Sequence, residues 1–559
     1  MAEMKGGRAL VETLRNEGVK YVFGIVGSTF LESLDALYGR TDIQYMSVRH
    51  EQGAAFMADG YARASDLPGV CLVTSGPAGT NLVTGVGSAY VGHSPVIAIV
   101  GGPHSSYLQR DAFQEFDLVN VFKPVTKLSI QVNRPERIPE IMRYAFRTAM
   151  MGKKGPVFVE VPRDFLDNAT VAYEPQAPES YRVVHRPPAD PELVQRAAQL
   201  VRRARRPILL VGGGVTASGA NGEMVRFAEM LSIPMVTTYG RNDAVPNDHP
   251  LYVGPLGRAG AAEAGEACRG ADLFLAMGTR LGQFTTFYDD RYIRPGIPVV
   301  QLDIDPKEVG RNYPVAVGIV GDAKAVLGQL VLAMKEGALP QPDHAWLREA
   351  RALREKRLAR LEEEGSLSYP PLKPQRVYNE LRKALPPETI VTLDAGACPA
   401  FGYDRLHFTH PKTFIAPLDL GGLGFAFPIA LGAKLGRPDS PVLSINGDGG
   451  FLFNVQELET AVRERIGAAT IVFNNNEWGS EKAYQKLLYN ERYVGADITN
   501  PRFDKLAELF GARGYYVEHP DQVGEVVREA VALDVPSIIE IPVDPKELPY
   551  PARLAPAKQ

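Results

Sequence analysis

Two short apolar segments late in the chain flank a glycine-rich turn and a helical pattern. Residues Pro441–Ile445 and Thr470–Phe473 predict strands, and the spacing of Val455, Leu458 and Val462 predicts a helix between them. A strand, a loop, a helix and a second strand in this order form a βαβ crossover. Such a crossover needs a parallel sheet covered by helices, so this region is restricted to an α/β fold.

Polar side chains follow both of these strands. Gly447, Gly449 and Gly450 let the backbone turn tightly and approach a ligand closely, and Asp448 lies among them. Asn475 belongs to a run of asparagines after the second strand, and loops at the carboxyl ends of parallel strands can meet at one point. One carboxylate, one amide oxygen and several backbone N–H groups suit Mg²⁺ together with phosphate oxygens. The sequence therefore predicts a metal-bridged diphosphate site, although Asp-Gly alone also occurs in plain turns.

Helical and strand patterns alternate along nearly the whole chain. This rhythm predicts an α/β protein with three doubly wound parallel-sheet domains. Stretches rich in proline and charge separate the domains, and the helix-like run Trp346–Glu364 in one of them is expected to be a solvated helix and linker. The expected domains span residues 1–172, 191–337 and 375–545, and residues 546–559 are expected to form a C-terminal tail, either a lid or a loose end.

Charge and cysteine usage argue against several classes of protein. The net charge is −4 and the pI is about 6.2, so neither nucleic acid nor a membrane surface is an expected partner. Cys71, Cys268 and Cys398 are widely spaced and form no CxxC motif, which disfavours a disulfide framework or a zinc site and favours a cytoplasmic setting. The sequence also lacks a recognisable signal peptide and an apolar run long enough to span a bilayer.

Together, these features resemble a known family. A Gly-Asp-Gly triplet followed further along the chain by paired asparagines resembles the signature of thiamine-diphosphate (ThDP) enzymes. Residues His50–Ala64 resemble the family's H-E-x-x-A-x-x-x-A-x-G-Y-A-R stretch, and the three-domain layout resembles the acetohydroxyacid synthase and pyruvate oxidase group. The resemblance implies ThDP and Mg²⁺ as cofactors, a pyrimidine-binding first domain and a diphosphate-binding last domain. It also implies a homodimer or homotetramer with each active site between two subunits.

The resemblance assigns roles to individual residues. The motif glutamate maps onto Glu51, which in the family hydrogen-bonds the pyrimidine ring nitrogen and so helps to remove the thiazolium proton. Taken alone, Glu51 is a helix-start carboxylate. The implied metal ligands are Asp448, Asn475 and the backbone oxygen of Glu477. Leu423 is implied as the apolar prop beneath the bent cofactor. The implied cofactor-binding residues are Gly27, Ser28, Pro77, Asn81, Gly396, Leu423, Gly447, Asp448, Gly449, Gly450 and Asn475.

The substrate side of the site rests on two segments. Residues Asp111–Glu115 resemble the D-A-F-Q-E segment of acetohydroxyacid synthases, in which Phe113 and Gln114 would face the substrate; a surface loop is the alternative. Glu481, at the start of a short helix, is a candidate second acid–base group, or else a solvated residue paired with a neighbouring lysine. The His-His pair of simple 2-oxo-acid decarboxylases does not occur in this region, which disfavours that type of enzyme.

Three further segments indicate a subfamily. Residues Trp478–Lys482, Tyr489–Gly495 and Ala416–Lys434 resemble sulfoacetaldehyde acetyltransferases. The preferred hypothesis is therefore a C–C lyase or carboligase that converts sulfoacetaldehyde and phosphate to acetyl phosphate and sulfite. Acetolactate synthase and a 2-hydroxyacyl-CoA lyase similar to oxalyl-CoA decarboxylase are the alternatives within the family. An inactive regulatory relative is the alternative from a different class.

The middle domain carries only weak nucleotide-binding patterns. Glycine-rich runs at Gly212–Gly214 and Gly278–Arg280 leave the choice between FAD, an ADP moiety, CoA and no ligand undecided. Arg241, Arg258 and Arg280 are candidates for a phosphate or CoA contact.

Overall fold

A computed structural model describes residues 2–182, 186–341, 343–367 and 369–547. Within them the chain forms three six-stranded sheets, each entirely parallel and flanked by helices, which confirms the expected fold class. Central strands such as Val96–Gly102 and Leu273–Met277 are buried along their whole length, so they are continuously apolar rather than alternating. The three sheets lie inside the predicted domain ranges, while the boundaries themselves stay a prediction. Residues 548–559 of the expected tail lie outside the described residues.

The first sheet has the strand order β3-β2-β4-β5-β7-β6, and β1 pairs antiparallel with β8 beside it. The strands are β1 (Ala2–Lys5), β2 (Tyr21–Gly24), β3 (Gln44–Ser47), β4 (Gly69–Thr74), β5 (Val96–Gly102), β6 (Leu128–Gln131), β7 (Val157–Pro162) and β8 (Thr170–Tyr173). The helices are α1 (Gly6–Asn16), α2 (Leu31–Leu37), α3 (Glu51–Ser65), α4 (Pro77–Gly92), α5 (Leu118–Phe122), α6 (Ile138–Met150) and α7 (Arg163–Asp167).

The second sheet has the order β11-β10-β9-β12-β13-β14. Its strands are β9 (Pro207–Val211), β10 (Met235–Thr237), β11 (Tyr252–Pro255), β12 (Leu273–Met277), β13 (Val299–Asp303) and β14 (Val317–Val320). Its helices are α8 (Pro191–Arg203), α9 (Gly213–Ala217), α10 (Asn221–Leu231), α11 (Ala262–Gly270), α12 (Gln283–Thr286) and α13 (Ala323–Lys335). Apolar runs at Ile208–Val211, Met235–Thr238, Leu273–Met277 and Val299–Ile304 predict four of these strands, and the sequence pattern misses the two edge strands, β11 and β14.

The third sheet has the order β16-β15-β17-β18-β20-β19 and follows the long helix α14 (His344–Gly365). Its strands are β15 (Ile390–Leu393), β16 (Phe414–Ile415), β17 (Val442–Gly447), β18 (Ala469–Asn474), β19 (Arg513–Tyr516) and β20 (Ser537–Pro542). Its helices are α15 (Pro374–Ala384), α16 (Ala397–Ala400), α17 (Gly402–Arg405), α18 (Ala426–Gly436), α19 (Asp448–Leu452), α20 (Glu457–Arg463), α21 (Gly479–Leu488), α22 (Phe503–Phe510) and α23 (Pro520–Ala532).

Helix α14 is exposed along much of its surface, as its charge pattern predicts, but it also carries buried contacts to two domains. The buried Trp346 ring donates its Nε1–H to the carbonyl oxygen of Pro207 in the second sheet at 3.0 Å. The buried Arg357 donates Nε–H to Oδ1 of Asp404 in the third domain at 2.8 Å. The helix therefore joins the second and third domains through both an aromatic anchor and a buried ion pair.

The first and third domains share one hydrophobic core. Helix α3 crosses helix α18 so closely that a Cβ on Gly60 or Gly432 would overlap a backbone carbonyl oxygen of the other helix. The rings of Phe56 and Phe425 meet edge to face with centroids 5.6 Å apart. The two domains thus pack directly against each other at this crossing. No helix among the described residues is both long and apolar enough to cross a lipid bilayer.

Candidate active site

Two neighbouring strand ends of the third sheet bring the predicted metal-site loops together. Strands β17 and β18 are paired in parallel, with Gly447 opposite Phe473, so the residues after both strands lie at the same edge. Oδ1 of Asp448 accepts the N–H of Gly449 at 2.8 Å, and Oδ2 accepts the N–H groups of Asn475 at 3.2 Å and Asn476 at 2.7 Å. The expected meeting of the two loops is therefore present. The glycine-rich turn also starts the short helix α19 at Asp448.

Asn500 is a partner of Asp448 that the sequence does not reveal. Its Nδ2–H donates to Oδ2 of Asp448 at 2.9 Å from a loop that is distant in sequence. The following proline indicates a turn at this position but not the contact that the turn makes.

Asp448 is a buried carboxylate at the edge of a cavity. Only 2% of its surface is exposed, and burial raises its pKa, while the backbone N–H groups and the Asn500 amide oppose that rise. A buried carboxylate is stabilised by a cation close to its oxygens. Asp448 is therefore suited to hold a metal ion.

The cavity itself has a volume of about 340 Å³ and is bounded by backbone at several glycines. A Cβ on Gly447 would point into open space, with only Pro399 Cδ near it at 3.9 Å. On the other side, Gly449 lies against the Trp478 ring, whose nearest carbon would be 2.5 Å from a Cβ. Residues on the third-domain side of the cavity include Gly396, Leu423, Gly447, Asp448, Gly449, Gly450, Asn475, Glu477 and Glu481.

These ligand types fit a magnesium-bridged diphosphate. Among the described residues, no cluster of three or more His, Cys, Asp or Glu side chains could hold a metal. The carboxylate of Glu477 is paired with Lys482, which leaves the backbone oxygen of Glu477 as its possible contribution. One carboxylate, one amide oxygen and one backbone oxygen leave several positions for phosphate oxygens and water, as Mg²⁺ prefers.

Asp394 is a second buried carboxylate on the cavity wall, and the sequence pattern does not predict it. Asp394 accepts the N–H groups of Gly424 at 3.1 Å and Phe425 at 3.2 Å, and burial raises its pKa to about 7. It thereby fixes the turn that presents Leu423 to the cavity. No local pattern marks this residue, because its partners lie about thirty positions away in sequence.

The predicted pyrimidine-side residues cluster at the edge of the first sheet. Glu51 is the first residue of helix α3, is 8% exposed, and accepts the Nδ2–H of Asn81 at 2.9 Å. The Ser75 hydroxyl donates to the carbonyl oxygen of Gln114 at 2.9 Å. Gly27 packs against Thr74, the last residue of β4. Ser28 and Pro77 are exposed at the same edge.

Among the described residues of one chain, the predicted pyrimidine-side residues around Glu51 do not line the cavity that holds the metal-site residues around Asp448. Among the described residues, those around the Asp448 cavity come from the second and third domains, and neither Glu51 nor Gln114 is one of them. Phe113, expected to face the substrate, is 88% exposed. Glu481 lines the cavity, but its side chain is largely exposed.

The second domain contributes one wall of the cavity through Tyr239, Arg258 and Phe284. The Arg258 guanidinium lies 4.7 Å from the centre of the Phe284 ring. The other basic candidates are engaged elsewhere: Arg280 pairs with Asp419, and Arg241 donates to the carbonyl oxygen of Gly92 at 3.3 Å. The amide N–H of Gly214 donates to the carbonyl oxygen of Gly278 at 2.9 Å, so the two glycine-rich turns pack directly together.

Three domains built on parallel sheets, with a carboxylate and asparagine site at one sheet edge, define a ThDP-binding enzyme. Family profiles agree: residues 4–121 match the thiamine pyrophosphate enzyme N-terminal TPP binding domain, residues 194–330 the central domain, and residues 394–541 the C-terminal TPP binding domain. The chain belongs to the ThDP-dependent enzymes, and within them to the acetohydroxyacid synthase group.

Curated relatives extend over nearly the full chain. A probable acetolactate synthase large subunit of Methanocaldococcus jannaschii is 37% identical, over 97% of this chain and 93% of that protein. A sulfoacetaldehyde acetyltransferase of Alcaligenes xylosoxydans xylosoxydans is 34% identical, over 95% and 91%. The acetolactate synthase isozyme 2 large subunit of Escherichia coli is 34% identical, over 98% and 97%. Relatives with two different activities therefore stand at similar distances from this chain.

Proposed function

We propose that the chain is a ThDP- and Mg²⁺-dependent enzyme that cleaves a small 2-oxo acid or aldehyde and transfers the remaining acyl fragment. The observation that carries this proposal is the meeting of Asp448 with the Asn475 loop at the edge of a glycine-lined cavity. Asp448, the Asn475 amide and the backbone oxygen of Glu477 would hold Mg²⁺. Bound ThDP would supply an electron sink for negative charge that develops at the carbonyl carbon of the substrate.

Cofactor binding tests the metal-site assignment directly. Asp448→Ala removes the only carboxylate that the proposed metal site contains, so ThDP affinity measured by calorimetry in the presence of Mg²⁺ should fall at least tenfold, or about 1.4 kcal/mol. Asp439→Ala, at an exposed position in the same domain, is the matched control and should bind ThDP as the wild type does. Unchanged affinity in Asp448→Ala would remove the assignment.

Glu51 is proposed to hold and share the proton that activates the cofactor. The Asn81 amide donates to one oxygen of this carboxylate and so fixes its orientation at the start of helix α3. Glu51→Gln should slow hydrogen–deuterium exchange at C2 of bound ThDP by on the order of 100-fold, the range for a lost acid–base group. Glu192→Gln provides the control, because Glu192 is also a first-turn glutamate but lies at the exposed start of helix α8. Equal rates of C2 hydrogen–deuterium exchange in the two variants would show that Glu51 is only a helix-start carboxylate and does not activate the cofactor.

We further propose that each active site combines Glu51 of one chain with Asp448 of another, in a homodimer or homotetramer. The support is that neither Glu51 nor Gln114 is among the described residues that line the Asp448 cavity. Mixing inactive Glu51→Gln and Asp448→Ala subunits should then restore activity, because a mixed dimer contains one site with both residues intact. Random exchange predicts recovery of about one quarter of wild-type activity. Absence of any recovery after verified subunit exchange would contradict the shared site.

For the substrate we propose sulfoacetaldehyde with phosphate as acceptor. In this reaction the C–S bond breaks and sulfite leaves with its electron pair, while both substrate carbons pass to phosphate as an acetyl group. The segment that resembles sulfoacetaldehyde acetyltransferases forms the cavity wall: Trp478 lies on Gly449, and Lys482 joins Glu477 to Asp497. Arg258 lines the same cavity beside Phe284 and brings a positive charge to the wall that an anionic substrate would face. Turnover should require phosphate and should release sulfite and acetyl phosphate in equal amounts.

Acetolactate synthesis is the second candidate. It is favoured by the Asp111–Glu115 segment, which rests on the Ser75 loop through Gln114, and by relatives named acetolactate synthase. Production of acetolactate from pyruvate alone, without phosphate-dependent turnover of sulfoacetaldehyde, would select it. Cleavage of 2-hydroxyacyl-CoA to formyl-CoA and a carbonyl product would select the CoA lyase instead, with Glu481 as its proton shuttle. The visible absorbance spectrum of the purified protein tests for FAD in the second domain, and cell fractionation tests the expected cytoplasmic location.

A further inference from the structure

A buried carboxylate from the third domain binds the backbone immediately before Glu51. Glu457, the first residue of helix α20, accepts the N–H of His50 at 2.9 Å through Oε1. Both of its oxygens also accept the N–H of Arg49 at 3.2 Å. The Thr460 hydroxyl donates to Oε2 at 2.7 Å. The chain entering helix α3 is therefore held by a side chain from a different domain.

Helix α3 has a glycine, Gly53, at the position against which the Glu457 carboxylate packs. A Cβ on Gly53 would lie 2.5 Å from Oε1 of Glu457. Glycine weakens a helix relative to alanine, so its place in the first turn of α3 requires a compensating contact. The carboxylate of Glu457, packed where a methyl group would be, is that contact.

The negative charge of the Glu457 carboxylate also suits its position at the amino terminus of helix α3. An anion is stabilised near the amino terminus of a helix, where N–H groups lack partners within the helix, and α3 extends over fifteen residues. Burial raises the pKa of Glu457 to about 7, while the Thr460 hydroxyl and the N–H groups of Arg49 and His50 oppose the rise. Glu457 thus exchanges solvation by water for directed hydrogen bonds from another domain.

The segment that carries Glu457 begins, nine residues earlier, at Asp448 of the proposed metal site. Helix α19 begins at Asp448, and Asn454 follows it with Nδ2–H donating to the carbonyl oxygen of Gly424 at 2.8 Å. The N–H of Glu457 then donates to the carbonyl oxygen of Asn454 at 3.1 Å. Hydrogen bonds and a short stretch of backbone therefore connect the Asp448 turn to the backbone of His50 in the same chain, so in the proposed dimer they join halves of two different active sites.

We propose that Glu457 is a positioning residue that fixes the Arg49–His50 backbone and thereby aims the Glu51 carboxylate. This inference rests on the proposed role of Glu51 in activating the cofactor. Because a misplacement of about 1 Å can cost about 100-fold in rate, loosening the backbone next to Glu51 should slow cofactor activation even though Glu51 is retained.

The test begins on the protein without cofactor. In Glu457→Gln, hydrogen exchange at the amides of Arg49 and His50, followed by mass spectrometry of short peptides, should accelerate about tenfold. Glu459→Gln is the matched control, because Glu459 lies on the same helix but pairs with Arg463 at its surface. This control should leave both amides as protected as they are in the wild type.

The second readout is C2–H exchange of bound ThDP at saturating cofactor. Glu457→Gln should slow it by roughly 10- to 100-fold with ThDP affinity within about twofold of wild type, which separates positioning from loss of the fold. Gly53→Ala would displace the Glu457 carboxylate by placing a methyl group against it, so it should also slow C2–H exchange with little change in ThDP affinity. This variant tests the positioning role if Glu457→Gln does not fold. The double variant should be no slower than the more impaired single variant.

Two outcomes would overturn the inference. One is C2–H exchange at the wild-type rate in folded Glu457→Gln while Glu51→Gln is slow, which leaves the proposed function intact. The other is slow C2–H exchange with unchanged protection of the Arg49 and His50 amides. Wild-type exchange in Glu51→Gln itself would instead refute the proposed activation step, and the positioning role with it.

Discussion

Alanine at Gly432 tests the crossing of helices α3 and α18 on which the union of the first and third domains depends. A Cβ at this position would overlap the backbone carbonyl oxygen of Met57, and a backbone atom cannot rotate aside as a side chain can. The helices would have to separate along their contact, and Phe56 and Phe425 would be pulled apart with them. Gly432→Ala should therefore lower stability and loosen the domain interface together.

The size of this effect can be worked from opposing contributions. Overpacking costs about 1–3 kcal/mol, and a backbone obstacle places the cost near the upper end, at about 3 kcal/mol. The higher helix propensity of alanine returns about 1 kcal/mol, leaving a net loss of about 2 kcal/mol. For a domain of this size, each kcal/mol lowers Tm by about 2–4 °C, so the expected decrease is about 4–8 °C.

Differential scanning calorimetry measures this decrease, and Gly328→Ala is the matched control. Gly328 also lies within a helix, but a Cβ there would meet no atom within 4 Å, so alanine should stabilise by about 1 kcal/mol. Gly60→Ala, on the facing helix, should resemble Gly432→Ala, and the double variant should lose less than the sum because the helices are already apart. Equal Tm values for Gly432→Ala and Gly328→Ala would refute the close crossing.

Two further predictions concern buried charge. Burial raises the pKa of Glu160 from its ordinary value of 4.5 to about 7, so the folded protein binds a proton more readily than the unfolded chain. The contribution of Glu160 to the free energy of unfolding is therefore full below pH 4.5 and is lost as pH rises through about 7. Glu160→Gln should accordingly gain up to about 3 kcal/mol relative to wild type between pH 5 and pH 8, and parallel Tm curves would contradict the shift. Arg357→Met leaves Asp404 buried with one partner fewer and should cost about 3 kcal/mol in chemical denaturation. Arg351→Met, at an exposed pair on the same helix, should cost under about 0.5 kcal/mol, and equal losses would show that the buried pair contributes little.

Local patterns account for much of the fold and for one half of the site. The apolar strand before Gly447 and the asparagines after β18 predict two neighbouring strand ends, and the pairing of β17 with β18 brings Asp448 to the Asn475 loop. The patterns at Gly69–Thr74, Val96–Val100 and Glu51–Ala64 likewise predict strands β4 and β5 and helix α3. These features are encoded within short windows, in which periodicity and glycine placement carry the information.

Contacts between distant segments could not be anticipated in this way. Asp394, Glu457 and Asn500 have their partners far away in sequence, and no periodicity marks a carboxylate that bonds a backbone in another domain. The charges of helix α14 likewise suggest solvation. Its Trp346 and Arg357 are buried because two other domains pack against the same helix. Tertiary packing here overrides the local composition.

The shared core of the first and third domains also shapes how the protein is made. Helix α3 carries the apolar residues Phe56, Met57 and Tyr61, and helix α18, which buries them, lies more than 350 positions later in the chain. At about 5–20 residues per second, the ribosome would need roughly 20 to 75 s to supply the partner helix. During that interval the nascent chain lacks the helix that buries this apolar surface in the folded protein.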